Sequence, residues 1–201
     1  NALTVKNLSV NFEGFQALEK VNISFKSNEV HALIGPNGAG KTTIIDIITG
    51  KTLPTEGDIY IGSEKITGRS IYQISRWFGI GRKFQGANVF DDLTVYENLF
   101  ISFRKYKKAN VLKSILIDKN NGKEEIYQAL ELINLVQKKD LKAFELSHGQ
   151  RQWLEIGMVM VQKPQVIILD EPTAGMTISE TEKTEQLIKQ LSKSFSIIVV
   201  E

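Results

Sequence analysis

The sequence contains no cysteine, which removes disulfides, thiolate metal sites and cysteine nucleophiles together and suits a reducing compartment. It has no excess of charge of either sign: 25 Lys and Arg face 23 Asp and Glu, for a formal charge of +2. A balance that close argues against a basic sleeve for nucleic acid, so partners must be read from motifs. Long apolar runs are missing as well. The longest, such as Val166–Leu169 and Ile197–Val200, fall far short of the roughly 20 residues that span a bilayer. No basic segment, apolar stretch and small-residue cleavage site follow one another at the N-terminus, so no secretory signal is read there and the cytosol is expected. Against these absences stands ordinary globular composition, 42% apolar and 24% charged over 201 residues. That length carries one domain with a sizeable core, or one domain plus a small subdomain.

Short β-rich runs alternate with turns in the first segment: Leu3–Val5, Ser9–Phe12, Val21–Phe25 and Val30–Ile34. They predict an edge hairpin feeding a buried strand that passes straight into glycines. Thr42–Thr49 is rich in Ile but stops at Gly50, which predicts a helix packed on a sheet. Gly57–Ile61 reads as a strand, Ile71–Trp77 as a short helix and Gly79–Phe84 as a strand running into Gln85. From Asp91 to Gln162 helical periodicity takes over, with Ile126, Leu130, Ile133 and Ala129, Leu132, Val136 sharing a face. Within it Arg104–Lys108 and Asp118–Lys123 read as solvated connections. Strand signal returns at Val166–Leu169 and Ser196–Val200, separated by a helix that opens on a Thr177/Glu180 capping box. Strands alternating with helices predict an α/β fold with a parallel sheet at its centre.

Gly35-Pro36-Asn37-Gly38-Ala39-Gly40-Lys41-Thr42 fits the phosphate-loop pattern, and it lies between an apolar strand and a helix as the mechanism requires. Glycines let the backbone curl so that N–H groups point inward at phosphate oxygens, and the helix N-terminus adds partial positive charge. Lys41 would neutralise the β- and γ-phosphates of a bound nucleotide, the Thr42 hydroxyl would coordinate Mg²⁺, and Thr43 is expected at the same nucleotide site. Val166-Ile167-Ile168-Leu169-Asp170-Glu171 supplies the matching half, an apolar strand ending in two acids. Asp170 would hold the metal and Glu171 would polarise the attacking water as general base.

These two motifs leave kinases, GTPases, helicases and transport ATPases open. Leu146-Ser147-His148-Gly149-Gln150 narrows the choice, because it closely resembles the Leu-Ser-Gly-Gly-Gln signature of ABC ATPases and stands about 20 residues before Asp170. Ser147 and the backbone N–H groups that follow offer donors to an anion, and Gly149 permits close approach. The resemblance covers Leu3 to Glu201 and implies a RecA-like phosphate-loop core (residues 1–84 and 163–201) with an antiparallel β subdomain and a helical subdomain (85–162) bearing the signature. It also implies that Ser147, His148, Gly149 and Gln150 face the ATP of an opposing subunit, that Phe12 stacks on adenine, and that Gln85 touches Mg²⁺ and the attacking water. His148 departs from the commoner Gly, and Ala174-Gly175-Met176-Thr177 lacks the Asp that usually ends the loop after the catalytic Glu.

Gly79–Gln85, Leu146–Met158 and Ala174–Thr177 resemble the urea-transport (UrtD-type) branch, with the branched-chain amino-acid importer ATPases as near relatives. The implied protein is a cytoplasmic ATPase on the inner face of the membrane, paired with a second ABC ATPase and docked on permease subunits that a periplasmic or extracellular solute-binding protein serves. A branched-chain amino-acid importer ATPase and a non-transport ABC ATPase acting on nucleic acid or ribosomes are the alternatives, the last disfavoured by the near-neutral charge. In the family a His contacting the γ-phosphate follows the last strand, where this sequence stops at Glu201. The expectation is a truncated core that binds ATP-Mg and hydrolyses slowly.

Overall fold

The computed structural model describes residues 2–83, 89–106 and 122–201. Two sheets carry the first of two compact units, which comprises residues 1–82, 164–171 and 188–201. Strands β1 (Leu3–Phe12) and β2 (Phe15–Phe25) form an antiparallel hairpin, β4 (Glu56–Ile61) pairs with the other edge of β1, and β5 (Glu64–Lys65) completes the order β2-β1-β4-β5. The second sheet has the order β3-β8-β7-β6, built from β3 (Val30–Leu33), β6 (Ile80–Lys83), β7 (Val166–Asp170) and β8 (Ser196–Val200). Strand β8 runs parallel to both β3 and β7, with Ala32 opposite Val199 and Asp170 opposite Val200. Parallel pairing brings the C-terminal ends of β3 and β7 to the same edge, where ligands of open α/β sheets collect.

Helix α1 (Lys41–Ile48) buries Ile44, Ile45, Ile47 and Ile48 in one cluster with Leu3, Val5, Phe25, Ile59, Ile168 and Ile198. Each such side chain contributes about 1.5–3 kcal/mol on leaving water. Helix α2 (Ile71–Trp77) starts at Ser70, which makes a reciprocal capping box with Gln73. Every residue of β7 is buried, as a strand covered on both faces must be. Strand β3 differs from the buried strand expected. It lies at the margin of its sheet, where among the described residues only β8 pairs with it, and Val30 and the following Ile34 are exposed.

The second unit comprises residues 83–163 and 172–187. It holds α3 (Val95–Tyr106), α4 (Lys123–Leu132), α5 (His148–Met160) and most of α6 (Ile178–Leu191). The expected apolar face of α4 is present in Ile126, Ala129, Leu130 and Ile133, all fully buried, whereas Leu132 and Val136 are half-buried because the helix ends at Leu132. Gly157 on α5 lets that helix approach its neighbours: a Cβ there would lie 2.8 Å from Ile133 Cδ1 and 3.1 Å from Leu99 Cδ2. Residues 104–106 belong to α3 rather than to a connection, so the helical period of Val95–Phe103 outlasts the local charge. The rest of the two expected connections, through residue 121, lies outside the described residues.

Candidate phosphate-binding and signature sites

The phosphate loop turns on two glycines in the left-handed region, Gly38 at φ 83° and Gly40 at φ 86°. Gly40 is also sterically required, since a Cβ would fall 2.7 Å from Leu18 Cδ2 and 3.3 Å from the Ala17 carbonyl. It is the N-cap of α1 and has no side chain to cap the first amides, so those donors remain open to an anion. Lys41 curls back so that its ammonium donates to the carbonyls of Gly35 and, at 3.1 Å, Pro36. Asn37, Ala39 and Thr42 are exposed around this cradle, and Thr43 is half-buried on the first turn.

Asp170 ends β7 with its carboxylate buried. It meets Arg82 from β6, whose Nη2 donates to Oδ2 at 3.0 Å, while Nη1 of the same guanidinium donates to Asp46 Oδ1 at 2.5 Å. Lys51 closes the far side of Asp46 at 2.9 Å. Burial opposes ionisation of Asp46, but hydrogen bonds and charge from Arg82 and Lys51 outweigh it and hold the carboxyl below its ordinary value. Glu171 follows in the left-handed region at φ 45°, fixed by donating its amide to the Val200 carbonyl at 3.0 Å, and its side chain is exposed. A non-glycine residue in that conformation costs on the order of 1–2 kcal/mol, a strain of the kind found at functional turns.

Among the described residues no three His, Cys, Asp or Glu side chains cluster as a metal cage. A metal at this edge would therefore take Asp170 and the Thr42 hydroxyl and draw its remaining oxygens from phosphates and water. That donor set suits Mg²⁺, which keeps waters and substrate oxygens about it, and the residues present fit it. Phe12 and Phe15 face each other across the tip of the β1–β2 hairpin, both exposed, at 47% and 69%. Gln85 lies outside the described residues.

In the second unit Ser147 caps α5: its hydroxyl accepts from the Gln150 amide at 3.3 Å and Gln150 Oε1 accepts from the Ser147 amide at 3.1 Å. The Ser147 hydroxyl also donates to Glu180 Oε1 at 3.2 Å, and Lys138 donates to Gln150. Glu180 in turn accepts from the amide and hydroxyl of Thr177, the capping box expected from sequence. Those bonds, aided by Ser147 and the charge of His148, hold Glu180 below the usual carboxylate range. His148 Nε2 sits 3.0 Å from the Ala174 carbonyl, tying the helix start to the loop after Pro172. Gly149 has an internal reason to be glycine, because a Cβ would lie 2.5 Å from Glu180 Oε1.

Sequence reasoning overlooked Arg82 and Asp46. The available signal was a lone carboxylate inside the Ile-rich run of α1, which demands a cation partner once buried. It also overlooked the buried pair of Lys83 and Glu155 at 3.5 Å in the second unit.

The ABC transporter family model matches residues 18–174. The high-affinity branched-chain amino acid transport ATP-binding protein LivG of Escherichia coli (strain K12) is 34% identical over 207 residues, spanning 99% of this chain and 81% of that protein. The crystal structure of the ADP conformation of MJ1267, an ATP-binding cassette of an ABC transporter, superposes with a TM-score of 0.87 at 31% identity over 100% of this chain and 80% of that one. The dimeric post-hydrolysis structure of the cassette MJ0796 bound to ADP and Pi gives 0.80 at 27% identity, covering 98% and 87%.

Proposed function

The chain belongs to the ABC transporter family as an ATP-binding cassette and ATP hydrolase, and from that premise we propose that it powers an importer of branched-chain amino acids. The observation that supports this solute class is the match to LivG across almost the whole chain. The urea branch suggested by the residues has no such support, since the relative carries the branched-chain name, and the alternative weighed beside it becomes the reading. The nucleic-acid alternative stays disfavoured by the balanced charge.

In this reading the chain is one cassette whose nucleotide-binding residues lie in 1–84 and 163–201 and whose signature lies in 85–162. Two cassettes close over two ATP molecules, a pairing supported by the dimeric structure of MJ0796, and permease subunits seat the pair on the inner face of the membrane while a solute-binding protein delivers cargo to them. Among the described residues no helix is long and apolar enough to cross a bilayer. Gly35–Thr43 wrap the phosphates, with Lys41 exchanging its two loop carbonyls for phosphate oxygens. Phe12 packs on adenine. Asp170, Thr42 and Gln85 would hold Mg²⁺, which when bound neutralises phosphate charge and orients the γ-phosphate. Glu171 takes a proton from the attacking water, and its fixed backbone keeps the carboxylate at the strand end. Ser147 to Gln150 of the opposing cassette donate to charge developing on the γ-phosphate.

The test uses the complex with its permeases in sealed vesicles. ATP hydrolysis rises when leucine-, isoleucine- or valine-loaded binding protein is supplied, and Glu171→Gln lowers the rate by about 100-fold or more while leaving ATP affinity within about threefold. Stimulation by urea alone would restore the urea reading, and undiminished hydrolysis would remove Glu171 from its role.

A further inference from the structure

Four charged side chains of the first unit form a line of alternating sign: Lys51, Asp46, Arg82, Asp170. The separations are 2.9 Å, 2.5 Å and 3.0 Å. Only Lys51 reaches water freely, at 56% exposure, whereas the side chains of Asp46, Arg82 and Asp170 are 12%, 6% and 6% exposed. The line begins on and just after α1, the helix that opens with Lys41 and Thr42, and it ends on the last residue of β7. We propose that Arg82 is a positioning residue for Asp170, and that Asp46 sets the aim of Arg82. The inference rests on the reading of Asp170 as a metal ligand.

Three features carry it. The guanidinium is a rigid planar fork, and here its two terminal nitrogens are divided between two carboxylates, so fixing one end at Asp46 fixes the other at Asp170. Arg82 donates to Oδ2 of Asp170, which leaves Oδ1 outside its fork and at a set angle to it. Buried ion pairs are also a poor source of stability, because apolar residues of like volume commonly serve as well. A buried two-acid, one-fork arrangement beside the phosphate loop is accounted for by what it does for Asp170: it keeps the carboxylate aimed. Lysine at position 82 would keep the charge but could not bridge both acids.

The experiment uses the intact chain with a non-hydrolysable ATP analogue and Mn²⁺ as the probe, followed by electron paramagnetic resonance. Nucleotide affinity is measured separately in chelator. Arg82→Lys is expected to leave metal-free nucleotide affinity within about twofold and to weaken Mn²⁺ binding to the nucleotide complex by about tenfold or more, the scale of outer-shell losses at metal sites. Asp46→Asn, which touches neither ligand nor Asp170, is expected to produce a smaller loss of the same kind, with Arg82→Lys/Asp46→Asn no worse than Arg82→Lys. Parallel weakening of both affinities, or unchanged Mn²⁺ binding in a folded Arg82→Lys protein, would reduce Arg82 to a structural role and overturn the inference. Should Arg82→Lys fail to fold, unchanged Mn²⁺ binding in Asp46→Asn overturns it equally. Asp170→Asn separates the two levels: if it retains Mn²⁺ affinity, the ligand reading itself fails. If it loses affinity while Arg82→Lys does not, only the inference fails.

Discussion

Two phenylalanines three positions apart in sequence, Phe12 and Phe15, oppose each other at one hairpin tip, and only their place in the fold distinguishes them. Phe12 ends β1 and Phe15 opens β2, the strand whose Ala17 and Leu18 press against Gly40 of the phosphate loop. Phe12 is the less exposed of the pair. Stacking of a base on an aromatic side chain is worth about 1–3 kcal/mol by alanine substitution, so Phe12→Ala should weaken ATP about tenfold and Phe15→Ala less than threefold in equilibrium titrations. Equal losses would undo the assignment. Gly149 shows how a motif glycine can answer to its own unit first: its missing side chain makes room for Glu180, whatever it later offers a nucleotide.

At the scale of elements, Gly157→Ala should destabilise. Helix propensity favours alanine by about 1 kcal/mol, but the added methyl meets Ile133 at 2.8 Å and Leu99 at 3.1 Å, and overpacking of that kind costs about 1–3 kcal/mol. A fall of a few degrees in Tm is expected, and a rise would mean that the side chains yield freely. The cap of α6 gives a pH signature. Glu180 has a folded pKa below its unfolded value, so its contribution is complete above about pH 4.3 and is lost as pH falls through the folded value. Glu180→Gln should therefore lower Tm near pH 7 by more than it does near pH 3, and a constant difference across that range would contradict the ionised cap. These elements were legible in sequence because their causes are local: the Thr177/Glu180 spacing announces a helix start, and the apolar run Val166–Leu169 announces a covered strand. Strand β3 misled because apolar content signals burial without saying whether a sheet continues past it. The pairing of Arg82 with Asp46 was not legible because 36 positions separate them and only the packing of α1 on the sheet that carries β6 brings them together.

At the scale of the whole molecule, the proposed function requires that one chain bind ATP through the loop before α1 and that a second cassette complete each site. The folded-back Lys41 and the open amides of α1 describe a receptor for phosphate, and in the proposed dimer the signature serves the nucleotide of the opposing cassette. Sedimentation of Glu171→Gln with Mg²⁺ and ATP, against Glu171→Gln/Lys41→Ala, tests this directly. The account predicts that ATP converts the single variant from monomer to dimer and leaves the double variant monomeric. A mass unmoved by ATP, or a dimer that persists without the Lys41 ammonium, would contradict it.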